Sequence, residues 1–308
     1  MSKEKRFKCC RRTAGRLMAF MLSAGMLAGC TSGQAGSASG SGEPEDSAST
    51  GGSKISVISR EDGSGTRSAF VELFGIKEDG EDKTAPDAEI TNSTAVMIET
   101  VNSNPNAIGY ISLGSLSDKS KAVSIDGVSP SVETINDQSY PITRSFLLVE
   151  KEGDDNPLAA DFIDYVLSKD GQAIIEEEGY VPLETSMAYT SSGQSGSLTI
   201  GGSSSVTPVM EKLAESYQKL NDKSELSVLQ TDSTTGITST SEGVYDLGMS
   251  SRALSDEEKS SGLKDIPIAN DGIVVIVNPE NEVSDLSKDD VKQIYTAQIE
   301  TWNELMEQ

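Results

Sequence analysis

The stretch SREDGSGTRSAF, residues 59–70, sets one arginine before a Gly/Ser/Thr turn that runs straight into an apolar helical pattern. Upstream, Ile55 to Ile58 alternates like a short strand; downstream, Ala69, Phe70, Leu73 and Phe74 recur at helical spacing. The local reading is strand, small-residue turn, helix. A helix start leaves backbone N–H groups unpaired, and together with the helix dipole they form a seat for an anion.

Two further stretches share this design. In LTIGGSSSVTPVMEKLAESYQKL, residues 198–220, Leu198 to Ile200 ends a strand, Ser203, Ser204 and Ser205 line the turn, and Pro208 suits the first helical turn after Thr207. Val209, Met210, Leu213, Tyr217 and Leu220 then form an apolar helix face. In LSVLQTDSTTGITS, residues 226–239, a strand leads to Ser233, Thr234 and Thr235, followed by Gly236. Taken singly, a serine or threonine before a helix is ordinarily an N-cap. Three such turns and one arginine together offer hydroxyls, N–H groups and a guanidinium to an anion.

The chain has 308 residues, 35% of them hydrophobic and 24% charged, which is a globular composition with room for two lobes. Its formal net charge of -24 argues against nucleic acid or an anionic membrane surface as a partner. An anion seat made of neutral dipoles and one guanidinium needs no basic protein. The absence of histidine excludes a Ser-His-Asp triad and histidine metal sites. The turn at residues 62–66 lacks the G-x-S-x-G nucleophile elbow, and no Gly-Lys-Ser/Thr of a phosphate-binding NTPase loop occurs. Ser216 and Lys219 match S-x-x-K, but inside the helix whose apolar face includes Tyr217. Neither a catalytic centre, a metal nor a cofactor is expected, so the chain reads as a binding protein and not an enzyme.

Residues 1–29 read as a targeting segment. Lys3, Lys5, Arg6, Lys8, Arg11, Arg12 and Arg16 make a basic n-region, and Leu17 to Ala28 is apolar but too short to span a bilayer. The segment ends in Leu27-Ala28-Gly29-Cys30, which resembles the lipobox of bacterial lipoproteins. That resemblance implies cleavage before Cys30, a lipid on its sulfur, and an extracytoplasmic protein anchored to the cell membrane. Cys9 and Cys10 would leave with the leader, so no disulfide is possible afterwards. Residues 30–53 form a Gly/Ser/Ala-rich leash, and residues 185–197, TSMAYTSSGQSGS, are a linker candidate inside the fold.

The patterned regions resemble the phosphate-binding lipoproteins of phosphate ABC transporters. ISVISREDGSGTRSAFVELFG, NPNAIGYISLGSL, YPITRSFLLVEK and EEEGYVPL are similar to the second half of that family. GGSSSVTPVMEKLAESYQK, YDLGMSSRALSDEE, IANDGIVVIVNPEN and IYTAQIETWNEL are similar to its first half. The halves therefore stand in exchanged order, as in a circular permutant joined through residues 185–197. A domain-swapped dimer or a gene fragment would carry the same order of motifs.

The resemblance implies an α/β, two-lobed, type II periplasmic-binding-protein-like fold, circularly permuted, with the ligand in the interlobe cleft. One lobe would be discontinuous, 54–142 plus 274–308, and the other continuous, 143–273. Inorganic phosphate would be captured for the permease subunits of an ABC transporter; another oxyanion such as sulfate, or a sensor or scaffold role, are the alternatives.

By motif, Arg60, Ser64, Gly65 and Thr66 would bind the anion from one lobe, with Asp62 orienting Arg60. Ser204, Ser205 and Thr234 would bind it from the other, with Ser233 beside them. Some relatives carry an aspartate where this chain has Ser251, and that carboxylate accepts the proton of hydrogen phosphate. Ser251 is thus a possible ligand, and Asp271, at the expected hinge, a possible substitute acceptor. Arg252 would be a second cation or a surface ion pair.

Overall fold

The computed structural model describes residues 54–306; the expected leader 1–29, the expected lipidation site Cys30 and the expected leash to Ser53 lie outside the described residues. Strand β1 (Ser56–Arg60) leads into α1 (Gly65–Leu73), then β2 (Lys77–Glu78), β3 (Glu81–Asp82), β4 (Glu89–Thr91), α2 (Thr94–Ser103) and β5 (Ala107–Ser112). Next come β6 (Lys121–Ala122), β7 (Ser124–Ile125), α3 (Val132–Asn136), β8 (Thr143–Lys151), α4 (Pro157–Val166), α5 (Lys169–Glu177) and β9 (Val181–Pro182). Then follow β10 (Gly196–Ser203), α6 (Thr207–Leu220), β11 (Ser224–Thr231), α7 (Ser233–Ser241), β12 (Leu247–Ser250) and α8 (Asp256–Ser260). The remaining elements are β13 (Leu263–Val277), β14 (Asp285–Leu286), α9 (Lys288–Tyr295) and α10 (Trp302–Met306).

A ten-stranded mixed sheet runs β11-β10-β12-β8-β13-β5-β1-β4, with β6 and β9 also paired to β13. At one end β1 lies parallel to β4 and β5; at the other β10 lies parallel to β11 and β12. The long strand β13 belongs to both ends. Its residues Leu263 to Gly272 pair with β8, and Ile273 to Val277 pair with β5. The uninterrupted apolar run at 273–277 is wholly buried, as such a run requires of a central strand.

The core divides at the same place. One cluster draws on residues 55–142 and 273–302, with Val181 added from β9. The other draws on residues 146–269. Local sequence explains the helix starts: Ser64, Ser93 and Asp232 accept from the backbone as N-caps of α1, α2 and α7, and Pro157 opens α4 after the cap Asn156. Helix α6 differs from this pattern. It begins at Thr207 without a side-chain cap, and the Thr207 hydroxyl donates back to the Ser203 carbonyl at 3.0 Å.

The two ends of the described chain meet, Ile55 N donating to the Glu300 carbonyl at 2.7 Å beside a bridge from Lys54 to Thr301. The Ser/Gly stretch before β10 is pinned rather than loose. Tyr189 donates to Asp161 Oδ2 at 2.8 Å, accepts from Asn221 Nδ2 at 2.8 Å, and meets the Tyr165 ring edge-on with centroids 5.0 Å apart. Tyr189→Ala is expected to lower the unfolding free energy by about 2 kcal/mol in urea titration, and Tyr189→Phe by about 1 kcal/mol, since the latter removes hydrogen bonds and keeps the ring.

Candidate functional site

Parallel strands deliver backbone and side-chain donors at their carboxyl ends, where the chain turns into helices. Strand β1 ends at Arg60, whose amide donates to the buried Tyr110 hydroxyl at 3.1 Å. The Tyr110 hydroxyl is pushed up to about 12 by burial, against hydrogen bonds from Ser59 and the Arg60 amide, so it stays protonated as a fixed anchor for the strand end. The Arg60 side chain is 2% exposed. Its Nε and Nη2 donate to the two Glu61 carboxylate oxygens at 2.8 Å each, a bidentate pair that holds the guanidinium plane. Nη2 also donates to Ser204 Oγ at 2.9 Å, and Nη1 lies 3.5 Å from Thr94 Oγ1.

Hydroxyls from the two ends of the sheet meet around that guanidinium. Thr66 and Ser205 hydroxyls are 2.9 Å apart, and Thr94 lies 3.3 Å from Ser205 and 3.4 Å from Ser204. Behind them Ser203 donates to Ser251 Oγ at 2.9 Å, and Ser233 Oγ lies 3.3 Å from Ser251 Oγ while accepting from the Ser251 amide at 3.0 Å. Gly65, first residue of α1, lies against this second group: a Cβ there would sit 2.3 Å from Ser233 Oγ and 2.7 Å from Ser251 Oγ. Only glycine permits the approach. These hydroxyls are buried, and among the described residues no cluster of three or more His, Cys, Asp or Glu side chains stands ready for a metal.

Arg60, Ser64, Gly65, Thr66, Ser204, Ser205, Ser233 and Ser251 are thus brought together, Ser64 serving as the α1 cap that accepts from Arg67 N. Three expected residues are not. Thr234 is exposed, and its hydroxyl accepts from Arg252 Nη2 at 3.3 Å; its neighbour Ser233, the first residue of α7 after the cap Asp232, takes the inward position. Only the Thr234 amide joins the contact, donating to the Gly63 carbonyl at 3.2 Å.

Asp62 does not orient Arg60. Its side chain is 98% exposed and pairs with Arg67 at 2.6 Å, and Glu61 holds Arg60 instead.

Asp271 is buried in β13 with its acceptors already used. Oδ1 accepts from the Ser112 hydroxyl at 2.7 Å and the Leu113 amide at 3.1 Å, and Oδ2 from Arg144 Nε at 3.0 Å. Burial pushes this carboxyl up, while Arg144 and the Ser112 and Leu113 donors hold it down. Arg252 forms a bidentate pair with Glu258, at 2.8 and 2.7 Å.

Sequence reasoning passed over Glu61, Thr94 and Arg144. Thr94 opens the helix of a fourth strand, hydroxyl turn and helix, in EITNSTAV at residues 89–96, and Arg144 is a charge just before the apolar run Phe146 to Val149 of β8.

A mixed α/β sheet whose parallel strands aim their carboxyl ends from two sides at a donor-lined centre has the architecture of a periplasmic-type binding protein. The chain belongs to that superfamily: the family model described as a PBP superfamily domain matches residues 42–170 and 188–308. It is 48% identical to the phosphate-binding protein PstS 2 of Streptococcus agalactiae over 290 residues, covering 92% of this chain and 94% of the relative. It is 37% identical to the phosphate-binding protein PstS of Bacillus subtilis over 113 residues, 36% of this chain and 38% of the relative. The crystal structure of a phosphate-binding protein of a phosphate ABC transporter from Streptococcus pneumoniae superposes with a TM-score of 0.67 at 42% identity, covering 82% of this chain and 99% of that one.

Gly65→Ala is expected to force the Ser233 and Ser251 side away from α1. Small-angle X-ray scattering should then record a larger radius of gyration at unchanged far-ultraviolet circular dichroism.

Proposed function

We propose that this protein captures inorganic phosphate outside the cytoplasm and passes it to the permease subunits of an ABC transporter without chemical change. The observation that carries the reading is the Arg60 guanidinium, buried and held by Glu61, with hydroxyls from both ends of the sheet gathered on it. A tetrahedral oxyanion accepts many hydrogen bonds at once, and such a set of donors suits it. The names of the Streptococcus agalactiae and Bacillus subtilis relatives support phosphate as the anion. Ligand oxygens contacting both sides would favour the closed arrangement over an open one.

The division into lobes of 54–142 plus 274–308 and 143–273 is part of the same reading, supported by the two hydrophobic clusters and by strand β13, which runs through both. The order of the halves is shared with the Streptococcus agalactiae relative, which matches along nearly its whole length. We propose that it is exchanged relative to the Bacillus subtilis type. A match confined to 38% of that relative is what reversed halves give in a collinear comparison, and the hydrogen bond from Ile55 to Glu300 brings together the ends that such an exchange creates. Lipidation of Cys30 would tether the protein beside its permease.

Sulfate is the second reading. It is favoured by the absence of a free carboxylate among the gathered side chains, since Asp271 is engaged elsewhere and Ser251 is a hydroxyl that donates as readily as it accepts. Isothermal titration of the chain lacking residues 1–30 with phosphate and then with sulfate decides between them, sulfate being expected to stay silent. Phosphate is expected to bind at one site per chain, and Arg60→Gln to weaken it about a hundredfold, the scale of losing two charge-assisted hydrogen bonds. Undiminished affinity in that variant would remove Arg60 from the site.

A further inference from the structure

The arrangement around Arg60 leaves a second buried cation without a role. Arg144, on β8, has a side chain only 4% exposed. Its Nε donates to Asp271 Oδ2, and its Nη1 donates to the Ser251 carbonyl at 3.2 Å. Its Nη2 stands 2.9 Å from the same Asp271 oxygen but lacks the alignment of a hydrogen bond, so a buried guanidinium nitrogen remains without an acceptor. Its charge is paired, but a buried N–H without an aligned acceptor is costly.

Two observations direct that nitrogen to the anion. Ser251, whose carbonyl Arg144 holds, contributes its hydroxyl to the gathered group with Ser203 and Ser233. The Arg144 guanidinium also lies near enough to Arg60 to feel its charge; burial is the largest influence pressing Arg144 toward the neutral form, Asp271 opposes it, and Arg60 adds to it. An anion at the hydroxyls of Ser203, Ser233 and Ser251 would lie beside the carbonyl that Arg144 holds and would ease the like charge of the two arginines. Glu61 offsets the charge of Arg60 and Asp271 that of Arg144, and the remaining acceptor capacity of Asp271 is taken by Ser112 and Leu113, so an acceptor for the free Arg144 N–H has to come from outside the pair.

We propose that Arg144 is a second arginine of the anion site, donating through Nη2 to an oxygen of the bound tetrahedral oxyanion. This rests on the phosphate reading above and deepens it. Asp271 is then both the support that aims Arg144 and a competitor for its charge. The site carries two guanidiniums, each backed by one carboxylate, and no carboxylate aimed at the ligand.

The charge-balanced double variant separates a ligand from a merely structural arginine. Removing the Asp271 charge favours a nearby anion in either case, whereas the charge-balanced double variant loses affinity only if Arg144 touches the anion. If Arg144 touches the anion, Asp271→Asn frees its charge and affinity rises, because the anion now supplies the missing compensation. The experiment is isothermal titration with inorganic phosphate of the wild type, Asp271→Asn, and Arg144→Gln combined with Asp271→Asn. The expected result is affinity raised about threefold or more in Asp271→Asn and lowered about tenfold or more in the double variant, the latter being the loss of one charged hydrogen bond.

Wild-type affinity in the double variant, or equal losses in both variants, would overturn the assignment of Arg144 and leave the phosphate reading intact. No binding by the wild type would overturn the phosphate reading, and this inference with it. Should Asp271→Asn fail to fold, the double variant, which buries no unpaired charge, carries the decision.

Discussion

Burying a guanidinium is the constraint around which the rest of this protein is arranged. Taking Arg60 out of water costs several kcal/mol unless its donors are matched. Glu61 satisfies one edge of the fork, but the other edge reaches Ser204 and approaches Thr94, and Ser204 comes from the opposite end of the sheet. The buried arginine therefore draws one of its hydrogen bonds from the opposite end of the sheet. Gly63 and Gly65 make that approach possible: a side-chain carbon at Gly63 would fall 2.2 Å from Asp232 Oδ1, and one at Gly65 would run into Ser233. Holding the halves together and presenting donors to an anion are one physical condition.

Strand β13 supplies the mechanical link. Its register passes from β8 to β5 between Gly272 and Ile273, one residue beyond Asp271. That carboxylate is tied forward to the start of the turn after β5, through Ser112 and Leu113, and sideways to Arg144 on β8. A buried ion pair here contributes little net stability, yet breaking it by removing one partner is strongly unfavourable. The ion pair thus sits where the chain crosses from one hydrophobic cluster to the other, and Arg144 ties it to the Ser251 carbonyl.

Much of the candidate site was legible because strand, small-residue turn and helix each leave a local signature, and the same design occurs at Arg60–Thr66, Ser203–Thr207 and Asp232–Gly236. The errors have physical reasons. In a run of adjacent hydroxyls, helical phase decides which one points inward, and Ser233 rather than Thr234 does so. In a run of adjacent acids, Glu61 folds back on its own neighbour while Asp62, in the turn, faces solvent and Arg67. The pairing of Arg144 with Asp271 joins residues 127 positions apart, which no local pattern reports. The linker at 185–197 looked featureless by composition, and one tyrosine, Tyr189, anchors it through Asp161 and Asn221.

The central claim is that one anion is held at once by Arg60 and by hydroxyls from both ends of the sheet. A crystal structure of the protein with phosphate tests it most directly. The account predicts one phosphate with oxygens at hydrogen-bond distance from Arg60 and Thr66 on one side and from Ser204 or Ser205 on the other. Phosphate bound away from Arg60, or contacted by one side alone, would contradict it.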